Sequence, residues 1–223
     1  MNYDRVLLYV RELTRRRDAL ISEILKEFDI ACGEGCAFCC YGVPLWVKLP
    51  EALLITEALN ELPIKDRKSI HSRLRKYARA YEQGAKNVGY APDSPIHESE
   101  LDRDRVSLIC GLEIKDIPCP LLGEESLCQV YGARPLMCRL TVFKDRNICE
   151  KDWREPLSFL WKNEIEPFIG RVKEEFFRKW SREERELRDI FSDLPLESLE
   201  SLLFFLPSHL RFDPIKKSFK FKP

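Results

Sequence analysis

The sequence predicts a mostly α-helical fold with small β elements, gathered around a cysteine-rich core. Three observations lead there. Apolar residues recur at three- and four-residue steps over long stretches in each third of the chain. No strand–helix alternation runs through it, so there is nothing from which to build a parallel sheet. Thiols are crowded into two blocks, the first being Cys32-Gly33-Glu34-Gly35-Cys36-Ala37-Phe38-Cys39-Cys40.

In chain order, Val6, Val10, Leu13, Leu20, Ile24 and Phe28 mark a helix over about residues 3 to 29. It ends where Gly33 and Gly35 permit the backbone turns a ligand loop needs. Pro50 opens a second helix that stops near Pro63. A third runs from about Lys65 to Val88, with Ile70, Leu74, Tyr77 and Tyr81 on its apolar face. Residues 90–104, with Pro92, Pro95 and many charges, read as an exposed loop. Arg105–Cys110 and Arg139–Phe143 read as short strands beside the cysteines.

Pro156 then opens a helical pattern through Leu157, Leu160, Trp161, Ile165, Phe168, Val172 and Phe176, which Pro167 kinks or divides. Ser181-Arg182-Glu183-Glu184 reads as a capping box for a further helix. Asp193-Leu194-Pro195 starts the last one, ending before Pro207. In the tail, Lys216, Lys217, Lys220 and Lys222 alternate with aromatics, as in an edge strand or an unstructured end. The 223 residues form a single domain on this reading, with a metal-binding core over 30–150 and a helical extension over 152–223.

Composition narrows the class. Hydrophobic residues are 44% of the chain, enough for a core that does not depend wholly on metal. Lys plus Arg (37) balance Asp plus Glu (37), so overall charge does not declare a nucleic-acid partner. No apolar run reaches the ~18 residues that span a bilayer. Met1–Arg5 lead into an amphipathic pattern rather than a secretory signal. These features predict a cytoplasmic protein with no membrane contact, in a compartment where thiols stay reduced. Nine cysteines is an odd number and Cys39–Cys40 is a poor pair to bridge, so metal is favoured over a disulfide framework.

Thiolates packed this closely repel one another unless a cation takes up their charge. Cys36-x2-Cys39 is the two-thiolate chelate of zinc and iron–sulfur sites, and Cys32 joins it if the segment coils. Cys40 projects differently from Cys39, so one of the two reaches another centre or plays a supporting or redox role. Cys119, Cys128, Cys138 and Cys149 complete eight candidate metal ligands: two four-thiolate sites, or one cluster with a redox-active remainder. Cys110, in an apolar run, reads as a buried small hydrophobe and is left out. Arg134 and Arg139, set among the cysteines, are the cofactor-binding candidates, able to hydrogen-bond cluster sulfurs or clamp a carboxylate. Bracing the loop against acidic helices suits them equally. His71, His97 and His209 lack partner spacing and read as surface residues. No Gly-x-Gly-x-x-Gly or phosphate loop is present, which argues against a doubly wound methyltransferase or dinucleotide fold, and no catalytic residue is assigned.

The third helix carries Lys65, Arg67, Lys68, Arg73, Arg75, Lys76 and Arg79, with Asp66 opposing them. It reads either as a solvated face pairing with acidic neighbours, or as a docking surface over 65–79 for RNA or an acidic protein substrate.

Cys32-x3-Cys36-x2-Cys39 also matches the three-cysteine signature of radical S-adenosylmethionine enzymes. Those enzymes resemble partial α/β barrels with the motif after a first strand, whereas here a long helix precedes it. The chain more fully resembles the cysteine-cluster family of zinc- or iron-chelating proteins. The likeness rests on the C-x2/3-C-x2-C-C block, then Cys119-Pro120-Leu121-Leu122, Cys128-Gln129-Val130-Tyr131, Arg134-Pro135-x2-Cys138-Arg139 and a last cysteine such as Cys149. It covers about residues 30 to 150 and all eight of that family's cysteine positions. Bacterial flagellin lysine N-methylases are similar in cysteine pattern, which implies a [4Fe–4S]-type cluster working with S-adenosylmethionine. The expectations are therefore an iron–sulfur methyltransferase-like enzyme acting on protein or RNA, a zinc-bound interaction module, or a metal or cluster carrier. Cysteine-only ligation fits zinc and iron alike, and the resemblance favours iron–sulfur.

Overall fold

The structure is a computed structural model that describes residues 3–30, 32, 35–90, 96–145 and 161–222. It is mostly helical with small antiparallel strands, as the periodicities predict. Two long helices, α1 (Tyr3–Glu27) and α6 (Glu166–Ile190), pack along each other and bury Val6, Val10, Leu13, Ile24, Val172, Phe176 and Trp180 in a first apolar cluster. Leu140, Val142 and Phe143 close that cluster from the end of the second cysteine block.

A second cluster is built on α2 (Leu49–Glu61) and α3 (Ile64–Asn87). Ala52, Ile55, Leu59, Ile70, Leu74, Tyr77 and Tyr81 line it. Leu54 of α2 packs against both clusters, so this helix forms the wall between them. Strands β1 (Trp46–Lys48) and β2 (Ile96–His97) flank the later β3 (Leu202–Phe205), with Val47 opposite Phe204 and Ile96 opposite Leu203. The chain ends in a hairpin of β4 (Leu210–Asp213) and β5 (Ser218–Phe221), the edge strand read from the tail's alternation. Phe219 of that hairpin is buried in the second cluster. Short helices α7 (Leu196–Ser201) and α8 (Leu206–His209) flank β3. No described helix is long and apolar enough to cross a membrane.

Several local expectations are corrected. Within 90–104, expected as an exposed loop, Ile96 and His97 form β2, with Ile96 buried. The helix expected to run until Pro207 stops at Ser201, where β3 begins. Residues expected as a strand at 105–110 form α4 (Arg103–Leu108) and a wider turn over Ile109–Glu113. Asp102 caps it, its carboxylate accepting the Arg105 amide at 3.0 Å, and Val106 and Ile109 bury at helical spacing. The strand expected at 139–143 begins instead as α5 (Leu136–Leu140), launched by Pro135, with only residues 141–143 left without regular structure. No helix starts at Ser181: α6 runs straight through, because Phe176, Trp180 and Leu187 keep one buried face. Ser181 bonds back to the Arg178 carbonyl at 3.0 Å rather than capping anything. Pro167 sits in the first turn of α6, just after a wider helical turn over Trp161–Ile165. The helical start expected at 156–160 lies outside the described residues.

Candidate metal centre

The two cysteine blocks meet because a short strap joins them. The Cys119 amide donates to the Cys40 carbonyl at 2.6 Å, and the Gly42 amide donates to the Ile117 carbonyl at 3.1 Å. Gly42 turns the strap with φ +63, where a Cβ would stand 2.9 Å from the Cys110 carbonyl oxygen. Only glycine takes that turn cheaply. The second block is itself a tight reversal. The Gln129 amide reaches the Leu121 carbonyl at 2.9 Å and the Gly123 amide the Leu127 carbonyl at 2.7 Å, bringing Cys119 and Cys128 to one end.

Side chains from the helices fasten this loop. Arg73 of α3 donates from Nε to the Pro120 carbonyl at 2.9 Å and also bonds the Gln129 side chain. Glu51, in the first turn of α2, accepts the Lys48 amide at 3.0 Å and the Leu136 amide at 2.7 Å. One carboxylate thus caps α2 and anchors α5, which carries Cys138.

Cys32, Cys39, Cys40, Cys119, Cys128 and Cys138 are brought into one neighbourhood. The thiols of Cys32, Cys40 and Cys138 all act electrostatically on Cys39. Cys119 feels Cys138, Cys40 and Cys128. Cys39 and Cys40 form a linked pair: the Cys39 thiol hydrogen-bonds the Cys40 sulfur, raising Cys39 and lowering Cys40. Arg134 lowers Cys40 further by its charge. Desolvation raises Cys119 and Cys128 and, with repulsion from Cys40, Cys128 and Glu51, pushes Cys138 up to about 12. Cys36 is half-buried. Cys149 lies outside the described residues. Cys110 sits against the second apolar cluster, its thiol pushed up to about 12 by desolvation.

Backbone amides are aimed at three of these sulfurs. The Phe143 amide donates to Cys32 Sγ at 3.2 Å, and the Cys32 thiol lies 3.5 Å from the Phe143 carbonyl. The Leu121 and Val130 amides hydrogen-bond the sulfurs of Cys119 and Cys128 and pull their pKa values down against burial. An amide pointing at sulfur stabilises the charged thiolate, the form that binds metal.

Arg134 and Arg139 take different places. Arg139 donates from Nε to the Arg134 carbonyl at 2.8 Å, bonds the Gly132 carbonyl and pairs with Asp18 of α1. Burial still holds the Asp18 carboxyl above its usual range. Arg134 lies over the Tyr131 ring at 3.7 Å, and its Nε is buried with no hydrogen-bond partner. Tyr131 itself is 48% exposed and forms the outer cover of this arginine.

Among the described residues, no three His, Cys, Asp or Glu side chains converge as a ready-made metal site. The donor set nevertheless fits a thiophilic metal. It is made of thiols, amides face three of the sulfurs, and the nearby Arg134 keeps one buried N–H unpaired. Sequence reasoning missed Gly42, Glu51 and Asp18. It counted Arg73 as a surface cation, although the signal for Glu51 was present as an acid just after the helix-opening Pro50.

The comparisons with known proteins agree with this donor set. A family model described as "Putative zinc- or iron-chelating domain" matches residues 31–164, well over half of the chain. No curated protein and no solved structure matches. With the cysteine blocks joined as described and the family model spanning them, the chain belongs to the CxxCxxCC family of zinc- or iron-chelating domains.

Proposed function

We propose that this domain holds an iron–sulfur centre of the [4Fe–4S] type, with thiolates drawn from Cys32, Cys39, Cys40, Cys119, Cys128 and Cys138. The observation that carries the reading is the set of backbone amides directed at Cys32, Cys119 and Cys128. Hydrogen bonds to sulfur set the potential of thiolate-bound clusters and offset the charge gathered on them. Six thiols are also linked in overlapping electrostatic sets, two more than the four that one tetrahedral zinc uses. Such a centre supplies one-electron chemistry or an iron open to substrate. The protein's own part is to desolvate the thiols, orient them through the Gly42 strap and neutralise charge with Arg134.

Methyl transfer from S-adenosylmethionine is the activity implied by the cysteine pattern shared with flagellin lysine N-methylases. The geometry around the thiols supports a centre and does not extend to that chemistry. Iron, zinc and acid-labile sulfide are to be measured on protein purified without oxygen, with the visible spectrum. A coloured protein with about four irons and four sulfides per chain is the expected result. A colourless protein with stoichiometric zinc would overturn it and leave a zinc-bound interaction module.

A further inference from the structure

Among the described residues, cations differ in whether they meet a carboxylate. Along the α1–α6 seam they are paired: Arg5 with Asp193, Arg16 with Glu12, Glu183 and Glu186, Lys179 with Glu23 and Glu27, and Arg188 with Glu184 and Glu200. On α3 the opposite holds. Lys65, Lys68, Arg75, Lys76, Arg79 and Lys86 are all exposed, and none pairs with a carboxylate of a described residue. A solvated face pairing with acidic neighbours is therefore not what α3 presents.

Like charges dominate this row, with Glu82 the exposed carboxylate among them. Lys65 and Lys68, Arg75 and Arg79, and Lys76 and Arg79 stand three or four residues apart, the spacing at which like charges on a helix weaken it. From Lys65 to Lys86 the row extends about 30 Å along the helix axis. Arg73 is not part of it, since it turns inward to the second cysteine block. Among the described residues of α3, Ile64 at its first position is exposed (42%), and no large apolar side chain is exposed along the row itself. A protein partner would need such an anchor, because interface cores are apolar and depleted in lysine. A polyanion needs none.

Midway along the row, His71, Ser72, Arg75, Lys76 and Arg79 bound a shallow concavity open to solvent. The ring of His71 is held by stacking on Phe212 at 5.3 Å. A hydroxyl and an imidazole among three cations match a ribose 2′-hydroxyl beside its phosphates, the feature that distinguishes RNA from DNA. A single strand can lower one nucleotide into such a hollow, whereas a duplex presents a continuous convex backbone.

We propose that the exposed face of α3 binds single-stranded RNA, its phosphates along the six-cation row and a ribose in the hollow at His71 and Ser72. This surface is independent of the metal centre. Binding is through the backbone, so it is weakly selective for sequence and strongly dependent on salt.

The test uses the full metal-loaded chain and a dye-labelled 20-nucleotide RNA of mixed sequence, with fluorescence anisotropy read across salt. If the six cations neutralise six phosphates, log K falls with log salt at a slope of about −4, and affinity drops about 300-fold between 50 and 200 mM. The quadruple variant Lys68→Glu, Arg75→Glu, Lys76→Glu, Arg79→Glu is expected to flatten the slope to about −1. A matched reversal at Lys26, Lys115, Lys162 and Arg185, exposed cations elsewhere, should leave it unchanged. Ser72→Ala should narrow the preference for RNA over DNA of the same sequence. A slope unchanged by the α3 variant, DNA bound as tightly as RNA, or polyglutamate competing as well as RNA would each overturn the proposal, the last in favour of an acidic protein. Photo-crosslinking of unmodified protein to RNA decides independently of variant folding: crosslinks within residues 64–87 support the proposal, and crosslinks only elsewhere refute it.

Discussion

Gly42→Ala is the substitution that best probes how the two cysteine blocks are joined. At φ +63 an alanine pays the left-handed backbone penalty of about 1–2 kcal/mol. Its Cβ would also stand 2.9 Å from the Cys110 carbonyl oxygen and 3.1 Å from Lys115 Cα. Both are backbone atoms, so no flexible side chain can swing aside, and overpacking of this kind costs about 1–3 kcal/mol. The sum is about 2–5 kcal/mol. Gly89→Ala supplies the control. It has nearly the same φ, +64, with nothing within 4 Å of the added Cβ, so only the backbone part of about 1–2 kcal/mol applies.

The assay is urea unfolding of both variants and the parent at equal metal content, because bound metal stabilises the folded chain by mass action. The difference between the two variants isolates the contact with the 110–115 backbone. Relief of that contact moves the strap, which holds the Gly42–Ile117 and Cys40–Cys119 bonds, so metal content per folded chain is expected to fall in Gly42→Ala alone. Equal stability of the two variants, with metal content unchanged in both, would refute the view that the strap is pinned at Gly42.

Other changes probe the site and its supports. Cys119→Ser and Cys138→Ser are expected to lose most bound iron or zinc, while Cys110→Ser keeps it; elemental analysis of the folded proteins reads the contrast. Arg139→Leu removes the bonds to the Arg134 and Gly132 carbonyls and leaves Asp18 without its cation, at about 2–3 kcal/mol in thermal or urea unfolding. Lysine at that position is expected not to restore it, because the three acceptors need a planar fork. Hydrogen bonds from Arg15 and Arg16 hold the Glu12 carboxyl down to about 2, against an ordinary value of 4.5. A depressed carboxyl contributes stability that is present above its unfolded pKa and lost as pH falls towards the folded one. Urea midpoints are therefore expected to drop between pH 4.5 and 2, and to drop less in Glu12→Gln. Exposure to solvent keeps this effect below about 1 kcal/mol.

The long helices were legible because their apolar faces repeat over many turns. Val6, Val10, Leu13 and Ile24 could be read without knowing what they touch. Short segments carry too few repeats to decide. Val106, Leu108 and Cys110 alternate like a strand, yet Asp102 caps a helix there and Leu108 is left 43% exposed. Ser181 to Glu184 has the residues of a capping box, but a cap needs the preceding face to end, and Trp180 and Leu187 continue it. The cysteine pattern announced the metal because thiol spacing is local. What supports the thiols was not legible: the Phe143 amide on Cys32 and Asp18 on Arg139 join residues more than a hundred positions apart.

The position of the thiols between two apolar clusters bears on what metal contributes here. Cys32 and Phe38 pack against the α1–α6 cluster, while Cys40, Cys119 and Cys128 belong to or border the α2–α3 cluster. Each cluster is filled by aliphatic and aromatic side chains, so neither needs metal to exclude water. In a small zinc finger, metal binding and folding are one event, because no core exists without it. Here most of each core is filled without the thiols, which lie along the seam between the two. A centre that draws on Cys32 from one side and on Cys119 or Cys128 from the other adds its binding energy to that seam. Its effect is on how firmly the strap, the second cysteine block and residues 141–143 are held together. The charge of the bound centre would fall beside Arg134, whose buried Nε has no other partner. The chain thus keeps an arginine beside Cys40 at some cost in desolvation, a cost that is offset when the sulfurs are ionised and bound.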